Sequence, residues 1–212
     1  MLDHFAATPG IWRSLATLLL SALVIMGSPG PSTISATAVG AAFSLRRSLR
    51  YVGGLIAGTI AVLLAVSAGA VVLLLATPHG ASALAVASAV YILYLAFRIA
   101  TAPPLLEQSA QTTAPSFPSG LLLAIANPKA YLAIAAVFAG TTVETQSNGL
   151  DALIKIVALS AMIVVIHLVW LMAGVWLARL LRHPLSSRIV NLTLAALLVI
   201  TTAIALAGQI RG

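Results

Sequence analysis

Two titratable side chains stand deep inside apolar segments of the sequence, where they could bind a ligand or move a proton. Lys129 lies near the middle of the segment from 118 to 141, and His167 near the middle of that from 150 to 181. At the centre of a bilayer a lysine costs about 3 kcal/mol or more. A histidine changes its charge near neutral pH and can relay protons. We therefore predict Lys129 and His167 as proton-coupling candidates.

No acidic residue is placed to pair with Lys129. The four acids fall in predicted loops or termini, at Asp3, Glu107, Glu144 and Asp151. Either Lys129 is largely neutral in the empty protein, or a ligand supplies its counter-ion. Both alternatives suit a carrier that binds a carboxylate and exchanges a proton.

A proline-rich motif, Ser28-Pro29-Gly30-Pro31, interrupts the first apolar segment near its centre. Its two prolines remove two backbone donors, and the second disfavours a helical conformation at the preceding glycine. The motif predicts a break or kink, with the second proline starting a new half-helix. The amides of Ser32, Thr33 and Ile34 would then point, unpaired, into the protein interior.

Asn127 and Pro128 repeat this pattern in the fourth segment, as an N-cap followed by proline at the first helical position. The positive ends of both half-helices would lie near the midplane, and such ends bind carboxylates. Broken helices of this kind mark the substrate site of many secondary transporters. The predicted substrate-binding residues come from both breaks and the turn after the second: Ser28, Pro29, Gly30, Pro31, Ser32, Thr33, Asn127, Pro128, Lys129 and Tyr131.

Structural roles compete with these functional ones. A membrane proline can simply kink its helix, Lys129 could extend to the interface, and a lone His167 could serve only to hydrogen-bond a neighbouring helix. Other polar and aromatic side chains could complete a pocket, although the aromatic ones also suit packing or an interfacial belt. They are Tyr91, Tyr94, Trp170, Ser35 and Thr59.

The composition identifies the environment in which these residues act. Of 212 residues, 61% are hydrophobic and 7% are charged, against about 25% charged in a soluble domain. A soluble globular or disordered chain is excluded. The chain has no cysteine, which excludes disulfides, thiolate catalysis and cysteine-ligated metals. We predict no metal, no other cofactor and no nucleic-acid partner, and we attribute the net charge of +7 to membrane topology.

Six apolar segments are long enough to cross a bilayer, which takes about 20 helical residues. They span residues 11–45, 51–76, 81–100, 118–141, 150–181 and 189–210. The sequence therefore predicts an all-α polytopic membrane protein with six transmembrane helices. Its partners would be membrane lipid and a small-molecule substrate.

A polar linker at 101–117 divides this single domain, 1–212, into halves of three helices each, 11–100 and 118–210. An odd number of crossings per half predicts two inverted repeats. Seven basic residues would lie on one side and three on the other, which places the larger set in the cytoplasm and both termini outside. The second span carries a face of small residues that would allow close packing, either within the protomer or in a homodimer. That face consists of Gly54, Ala57, Gly58, Ala61, Ala65 and Gly69.

Two other classes of function compete with a carrier. An intramembrane enzyme could pair Ser82 with His79 or His167, as a rhomboid protease does, but His167 is predicted about 15 Å deeper than Ser82. A metal-ion exporter or ion channel is the stronger alternative. Hard cations need clustered carboxylates or carbonyls, and no acid falls within a predicted span.

Several motifs, in order along nearly the whole chain, resemble the LysE/RhtB family of amino-acid exporters. They are Ser28-Pro29-Gly30-Pro31, Gly53-Gly54-x3-Gly58, the run from Tyr91 to Arg98, Phe117-x-x-Gly120, and Asn127-Pro128-Lys129-Ala130-Tyr131. The first and last of these are specific when they occur together.

The resemblance implies a six-helix exporter of amino acids or related metabolites in the bacterial inner membrane, driven by the proton gradient. Members often carry an acid where this chain has Thr59, and on the fifth helix near His167. Because both acids are absent here, we expect a neutral or zwitterionic substrate whose carboxylate meets the half-helix ends and Lys129.

Overall fold

The computed structural model describes residues 9–43, 45–69, 115–143, 145, 147–180, 188–190, 192–200 and 203, with scattered positions between 86 and 101. All regular structure in these parts is helical. The helices are α1 (Pro9–Ile25), α2 (Pro31–Ala42), α3 (Leu45–Ser67), α4 (Phe117–Ile125), α5 (Pro128–Gly140) and α6 (Asn148–Leu180). Positions 188–190 and 192–200 are helical too. Most of the third predicted span, with Tyr91, and most of the linker lie outside the described residues, as do His79 and Ser82.

Both predicted proline breaks are confirmed. The first separates α1 from α2 and covers residues 26–30, and the second separates α4 from α5 at Ala126 and Asn127. The axes of α4 and α5 are bent by 61° relative to each other. Each later half-helix begins with proline, at Pro31 and Pro128, where the missing N–H would have had no intrahelical acceptor.

Two described helices, α3 and α6, are long and apolar enough to cross a membrane on their own. The bent pair of α4 and α5 makes a third crossing when it is taken as one span. The arrangement of six spans as inverted repeats stays a prediction.

Glycines allow helices of the two halves to approach closely. On α3, a Cβ at Gly54 would collide with the carbonyl of Phe117, and one at Gly58 would lie 2.7 Å from Ala124 Cβ of α4. The small-residue face predicted on this helix thus packs, at these two glycines, inside the protomer. On the other side, a Cβ at Gly40 of α2 would lie 2.6 Å from the Leu171 carbonyl oxygen of α6. These contacts pack α4 closely against α3 and α2 closely against α6.

Large apolar side chains lie on the outer surfaces of these helices, as a lipid environment requires. Examples at 60% exposure or more are Trp12 and Val24 of α1, Leu132 of α5, and Val157 and Trp176 of α6. By contrast, every residue of α2 is buried. Helix α2 therefore runs through the protein interior.

Candidate functional site

The four carbonyl oxygens from Gly27 to Gly30 in the first break receive hydrogen bonds, although the helix is interrupted there. Trp170 Nε1 donates to Gly27 O at 3.1 Å. The amide of Ile34 donates to Gly30 O at 2.8 Å, and the Thr33 hydroxyl donates to the same oxygen at 3.1 Å. The two carbonyls between them, of Ser28 and Pro29, accept from the Lys129 ammonium. Lys129 and Trp170 thus stabilise the break by donating to carbonyls that an interrupted helix leaves without amide partners.

Two details of the first break differ from the sequence-based expectation. The amide of Ile34 is paired with the Gly30 carbonyl, so it does not point free into the interior. The N-cap of α2 is Gly30, whose own amide donates to Thr33 Oγ1 at 2.9 Å. The α2 amides left without an intrahelical acceptor are therefore those of Ser32 and Thr33, since Pro31 has none.

The second break has the predicted cap. The Asn127 side-chain oxygen accepts from the amide of Lys129 at 3.1 Å, and Pro128 occupies the first turn. Tyr131 reaches back across the break, and its hydroxyl donates to the carbonyl of Ile125 at 2.8 Å. This bond satisfies an acceptor at the end of α4, because that helix cannot continue through Pro128.

The two breaks touch each other. Asn127 Nδ2 donates to Ser32 Oγ at 2.9 Å. Lys129 Nζ donates to Ser28 O at 2.5 Å, to Ser28 Oγ at 2.8 Å and to Pro29 O at 3.1 Å. The sequence-based prediction that both breaks contribute to one place in the fold thus corresponds to direct hydrogen bonds between them.

Lys129 has hydrogen-bond partners that the sequence did not reveal. Its Nζ donates to three oxygen atoms of the first break, none of them from a carboxylate. The two alternatives for its charge, neutral when empty or paired with a ligand anion, stay predictions. Gly30 makes this possible, because a Cβ there would lie 2.6 Å from Lys129 Cδ and 2.9 Å from Lys129 Nζ.

A cavity of about 40 Å³ opens beside this contact, between α2, α3, α5 and α6. Its polar lining comes from Ser32, Thr33, Thr59, Asn127, Lys129 and His167, with Gly30 at the break. Its apolar lining comes from Met26, Ala130, Ala133, Ile134, Ile163 and Ile166. Because a water molecule needs about 10–15 Å³ by this measure, the cavity has room for two to four waters and is too small for an amino acid.

His167 is the buried titratable residue of the cavity lining. It is 4% exposed, and its Nδ1 lies 2.8 Å from the carbonyl oxygen of Ile163 on its own helix. Nε2 has no hydrogen-bond partner within the described part of the chain. Because Nδ1 faces a carbonyl acceptor, the neutral ring carries its proton there and leaves Nε2 as an acceptor. Protonation would turn Nε2 into a donor.

The remaining predicted residues lie around the cavity without lining it. Ser28 and Pro29 act through their oxygens on Lys129, whereas Pro31 and Pro128 start their helices. Tyr131 bonds the Ile125 carbonyl, as described above. Of the other pocket candidates, Thr59 lines the cavity. The Ser35 hydroxyl is bonded to the Ser32 carbonyl, and Tyr94 is 50% exposed.

One buried charge pair was missed from the sequence. Asp151 lies in the first turn of α6, not in a loop, and its Oδ2 lies 2.9 Å from Nζ of Lys155, which is 5% exposed. Lys155 also donates to the carbonyl of Phe138 at 3.1 Å. Asp151 Oδ1 accepts from the amide of Val143 at 2.7 Å. The four-residue spacing of acid and base was the available signal.

The LysE type translocator family model matches residues 23–209, which include both breaks and every cavity-lining residue. Among curated proteins, the chain is similar to the cysteine/O-acetylserine efflux protein of Escherichia coli O1:K1 / APEC. The two are 32% identical over 178 residues, which cover 84% of this chain and 89% of the relative.

Two further relatives carry the same name. The protein of Shigella flexneri is 31% identical over 191 residues, and that of Salmonella typhimurium (strain LT2) is 32% identical over 192 residues. Each alignment covers 87% of this chain and 96% of the relative. No solved structure matches the chain. With its apolar helices and a match over most of its length, the chain belongs to the LysE type translocator family and is a membrane-embedded transporter, not an enzyme.

Proposed function

We propose that this protein exports an amino acid or a close derivative by proton-coupled alternating access, and that the substrate carboxylate binds where the two helix breaks meet. The observation that carries the proposal is the contact of Lys129 with the first break, beside a cavity that both half-helix starts line. Relatives named for cysteine and O-acetylserine efflux support an amino-acid substrate.

The charges of the site favour a carboxylate. The N-terminus of a helix carries about half a positive charge, and two such ends, of α2 and α5, lie at this cavity. The Ser32 and Thr33 amides have no intrahelical acceptor, and Lys129 adds a positive charge when it is protonated. Fixed donors of this kind bind carboxylates.

The lining favours a neutral side chain on the substrate. Among the residues that line the cavity there is no Asp or Glu to pair with a cationic side chain. The apolar part of the lining includes Met26, Ile134, Ile163 and Ile166, which suits a short, weakly polar side chain. Cysteine and O-acetylserine both have this character, so they are the first substrates to test.

Alternating access is supported by the size of the cavity. At about 40 Å³ it must expand before an amino acid can enter. The interruptions at residues 26–30 and 126–127 are the places where helices can change angle without losing regular backbone bonds. We propose that movement of the half-helices there opens the site alternately to the two sides.

The remaining parts of the proposal concern energy coupling and topology. Lys129 and His167 are the titratable groups that line the cavity, and we propose that one of them carries the coupled proton. We also propose a bacterial inner-membrane location in contact with lipid, six spans in two inverted halves, and both termini outside. Association as a homodimer belongs to the same proposal.

Transport in proteoliposomes tests this function. Vesicles containing the purified protein, loaded with labelled L-cysteine or O-acetyl-L-serine, should release label faster under a proton gradient than protein-free vesicles. Lys129→Ala should reduce this release at least tenfold. Gly53→Ala should not, because a Cβ at Gly53 would meet the Phe117 ring at 3.7 Å, an ordinary contact distant from the cavity.

The same vesicles separate the carrier from the alternative of a metal-ion exporter or ion channel. A carrier exchanges labelled for unlabelled substrate across the membrane without an applied voltage. If neither compound moves in either direction, while the protein conducts ions, the carrier proposal fails and the alternative replaces it.

A further inference from the structure

Three oxygen atoms of the first break form a site for one ammonium group. We call it the ammonium cage: the carbonyl oxygens of Ser28 and Pro29 and the hydroxyl of Ser28, which bind Lys129 Nζ in this structure. We propose that the cage is the subsite for the α-ammonium group of the substrate and that Lys129 is its tethered occupant while the carrier is empty. This inference rests on the proposed amino-acid substrate.

The cage matches an ammonium group in number and type of atoms. An ammonium has three N–H donors and no acceptor, and the cage offers three acceptors at 2.5, 2.8 and 3.1 Å. The two carbonyls belong to an interrupted helix, so no helical amide can replace a lost donor. If Lys129 left without a replacement, both oxygens would lose the donor that they have in this structure.

Gly30 gives the cage its shape. A Cβ at this position would lie within 3 Å of Lys129 Cδ and Nζ. The missing side chain therefore provides the space through which an alkylammonium group reaches the oxygens. The backbone angle φ at Gly30 is −170°, which any residue adopts, so the need for glycine here comes from this space.

Lys129 and the substrate can exchange places without leaving a polar group unpaired. The incoming α-ammonium takes the cage oxygens, and the displaced Lys129 ammonium meets the α-carboxylate of the same molecule. A second observation concerns the same cavity: His167, a residue 4% exposed, lines it, and the buried Nε2 of this residue is without a partner among the described residues. The site thus has hydrogen-bonding capacity that a ligand can use.

This arrangement defines the substrate class by its free ammonium group. O-Acetyl-L-serine and N-acetyl-L-serine are isomers with the same carboxylate, but only the first has an ammonium. The cage would accept the first isomer. N-Acetyl-L-serine cannot occupy the cage. If Lys129 moved to bind its carboxylate, the Ser28 and Pro29 carbonyls would lose their donor.

Chemical rescue tests the cage by binding alone, without transport. Lys129→Ala removes the tethered ammonium, and ethylammonium should then bind in its place. We expect ethylammonium to raise the thermal unfolding temperature of purified Lys129→Ala protein in a saturable way, by about 5 °C at 100 times its dissociation constant. Tetramethylammonium, which has the charge but no N–H, should have no such effect, and wild-type protein should respond to neither ion.

Two double variants locate the rescue. In Lys129→Ala/Gly30→Ala the added methyl group obstructs the cage, so ethylammonium should no longer stabilise the protein. Lys129→Ala/Gly53→Ala has the same kind of change away from the cage and should be stabilised like the single variant. Lack of saturable stabilisation in Lys129→Ala, or equal stabilisation of both double variants, overturns the inference.

A wild-type measurement keeps the inference testable if the variants do not fold. Vesicles with wild-type protein should export O-acetyl-L-serine at least tenfold faster than N-acetyl-L-serine, and equal rates overturn the inference. Rescue by ethylammonium without movement of any amino acid would support the cage and reject the proposed function. Transport of both isomers at equal rates would support the proposed function and reject the cage.

Discussion

Asn127 Nδ2 donates a 2.9 Å hydrogen bond to Ser32 Oγ, which joins two helix breaks that are 95 residues apart in the chain. Both residues are buried. The same Asn127 side chain caps α5 through its oxygen. Because one amide group performs both tasks, the start of α5 is held in a fixed position relative to the start of α2.

We expect Asn127→Ala to destabilise the protein by about 2 kcal/mol, since it removes a helix cap and a buried hydrogen bond. Ser32→Ala should cost about 1 kcal/mol, because it leaves Asn127 Nδ2 without its acceptor. The destabilisation of the double variant should be smaller than the sum of the two single-variant values by about 1 kcal/mol. Thermal unfolding in detergent measures all three, at about 2–4 °C per kcal/mol for a chain of this size.

Ser67→Ala is the matched control for this cycle. The Ser67 hydroxyl donates only to the Leu64 carbonyl of its own helix, at an exposed position. Its removal should change stability by no more than about 0.5 kcal/mol. Strict additivity of the Asn127 and Ser32 substitutions would show that the bond between the breaks contributes nothing to stability.

Two adjacent glycines of α3 should respond to alanine in opposite directions. In Gly54→Ala the new Cβ collides with the Phe117 carbonyl and lies 2.9 Å from the Leu121 amide nitrogen. The backbone of Phe117 and Leu121 cannot move aside without shifting α4. We therefore expect Gly54→Ala to lower the free energy of unfolding by about 2 kcal/mol or more. In Gly53→Ala the Cβ meets only the Phe117 ring, and the gain in helix propensity should stabilise the protein by up to about 1 kcal/mol.

Unfolding temperature and size-exclusion profile in detergent distinguish the two glycine variants. Gly54→Ala should unfold at lower temperature than wild type and give less monodisperse protein, whereas Gly53→Ala should match or exceed wild type. If Gly54→Ala were as stable as Gly53→Ala, α3 and α4 would not be in the close contact described above.

The sequence predicted the features that depend on backbone chemistry. Proline lacks an amide and restricts the residue before it, so both breaks could be located from Pro31 and Pro128 alone. The cap at Asn127 follows from the same local rules. Lys129 could be singled out because a cation far from either end of an apolar segment has no local explanation.

What the sequence could not give is the partner of each polar group. Lys129 lies 101 positions from Ser28, and no local pattern connects the two. The contact of Lys129 Nζ with carbonyl oxygens of an interrupted helix could not be read from the sequence, and both alternatives for its charge stay predictions. Lys155 was assigned to the start of its span, yet tertiary packing buries it beside its partner Asp151, whose side chain is 18% exposed.

The Lys155–Asp151 pair should be needed for stability. Lys155→Met leaves the largely buried carboxylate of Asp151 without its cation. We expect this to lower the free energy of unfolding by about 3 kcal/mol. Asp151→Asn should cost less, because the amide oxygen can still accept from the amide of Val143. The double variant should recover part of the loss caused by Lys155→Met alone. Thermal unfolding of the four proteins measures the coupling, and a stable Lys155→Met protein would contradict it.

His167 provides the test of proton coupling. Glutamine keeps a polar side chain at the cavity but cannot be protonated, so His167→Gln should separate two activities that the wild type combines. We expect exchange of labelled for unlabelled substrate, at equal pH on both sides, to persist. Export driven by a proton gradient should fall roughly tenfold or more if this imidazole carries the proton.

Ser160→Ala serves as the control, because it removes a hydroxyl from the same helix at a position that does not line the cavity. The ratio of gradient-driven export to exchange should be unchanged in this variant. An unchanged ratio in His167→Gln would instead assign His167 a packing role and leave Lys129 as the coupling group. Loss of both activities together would indicate that Nε2 binds the substrate itself, since a group that only carries the proton is not required for exchange.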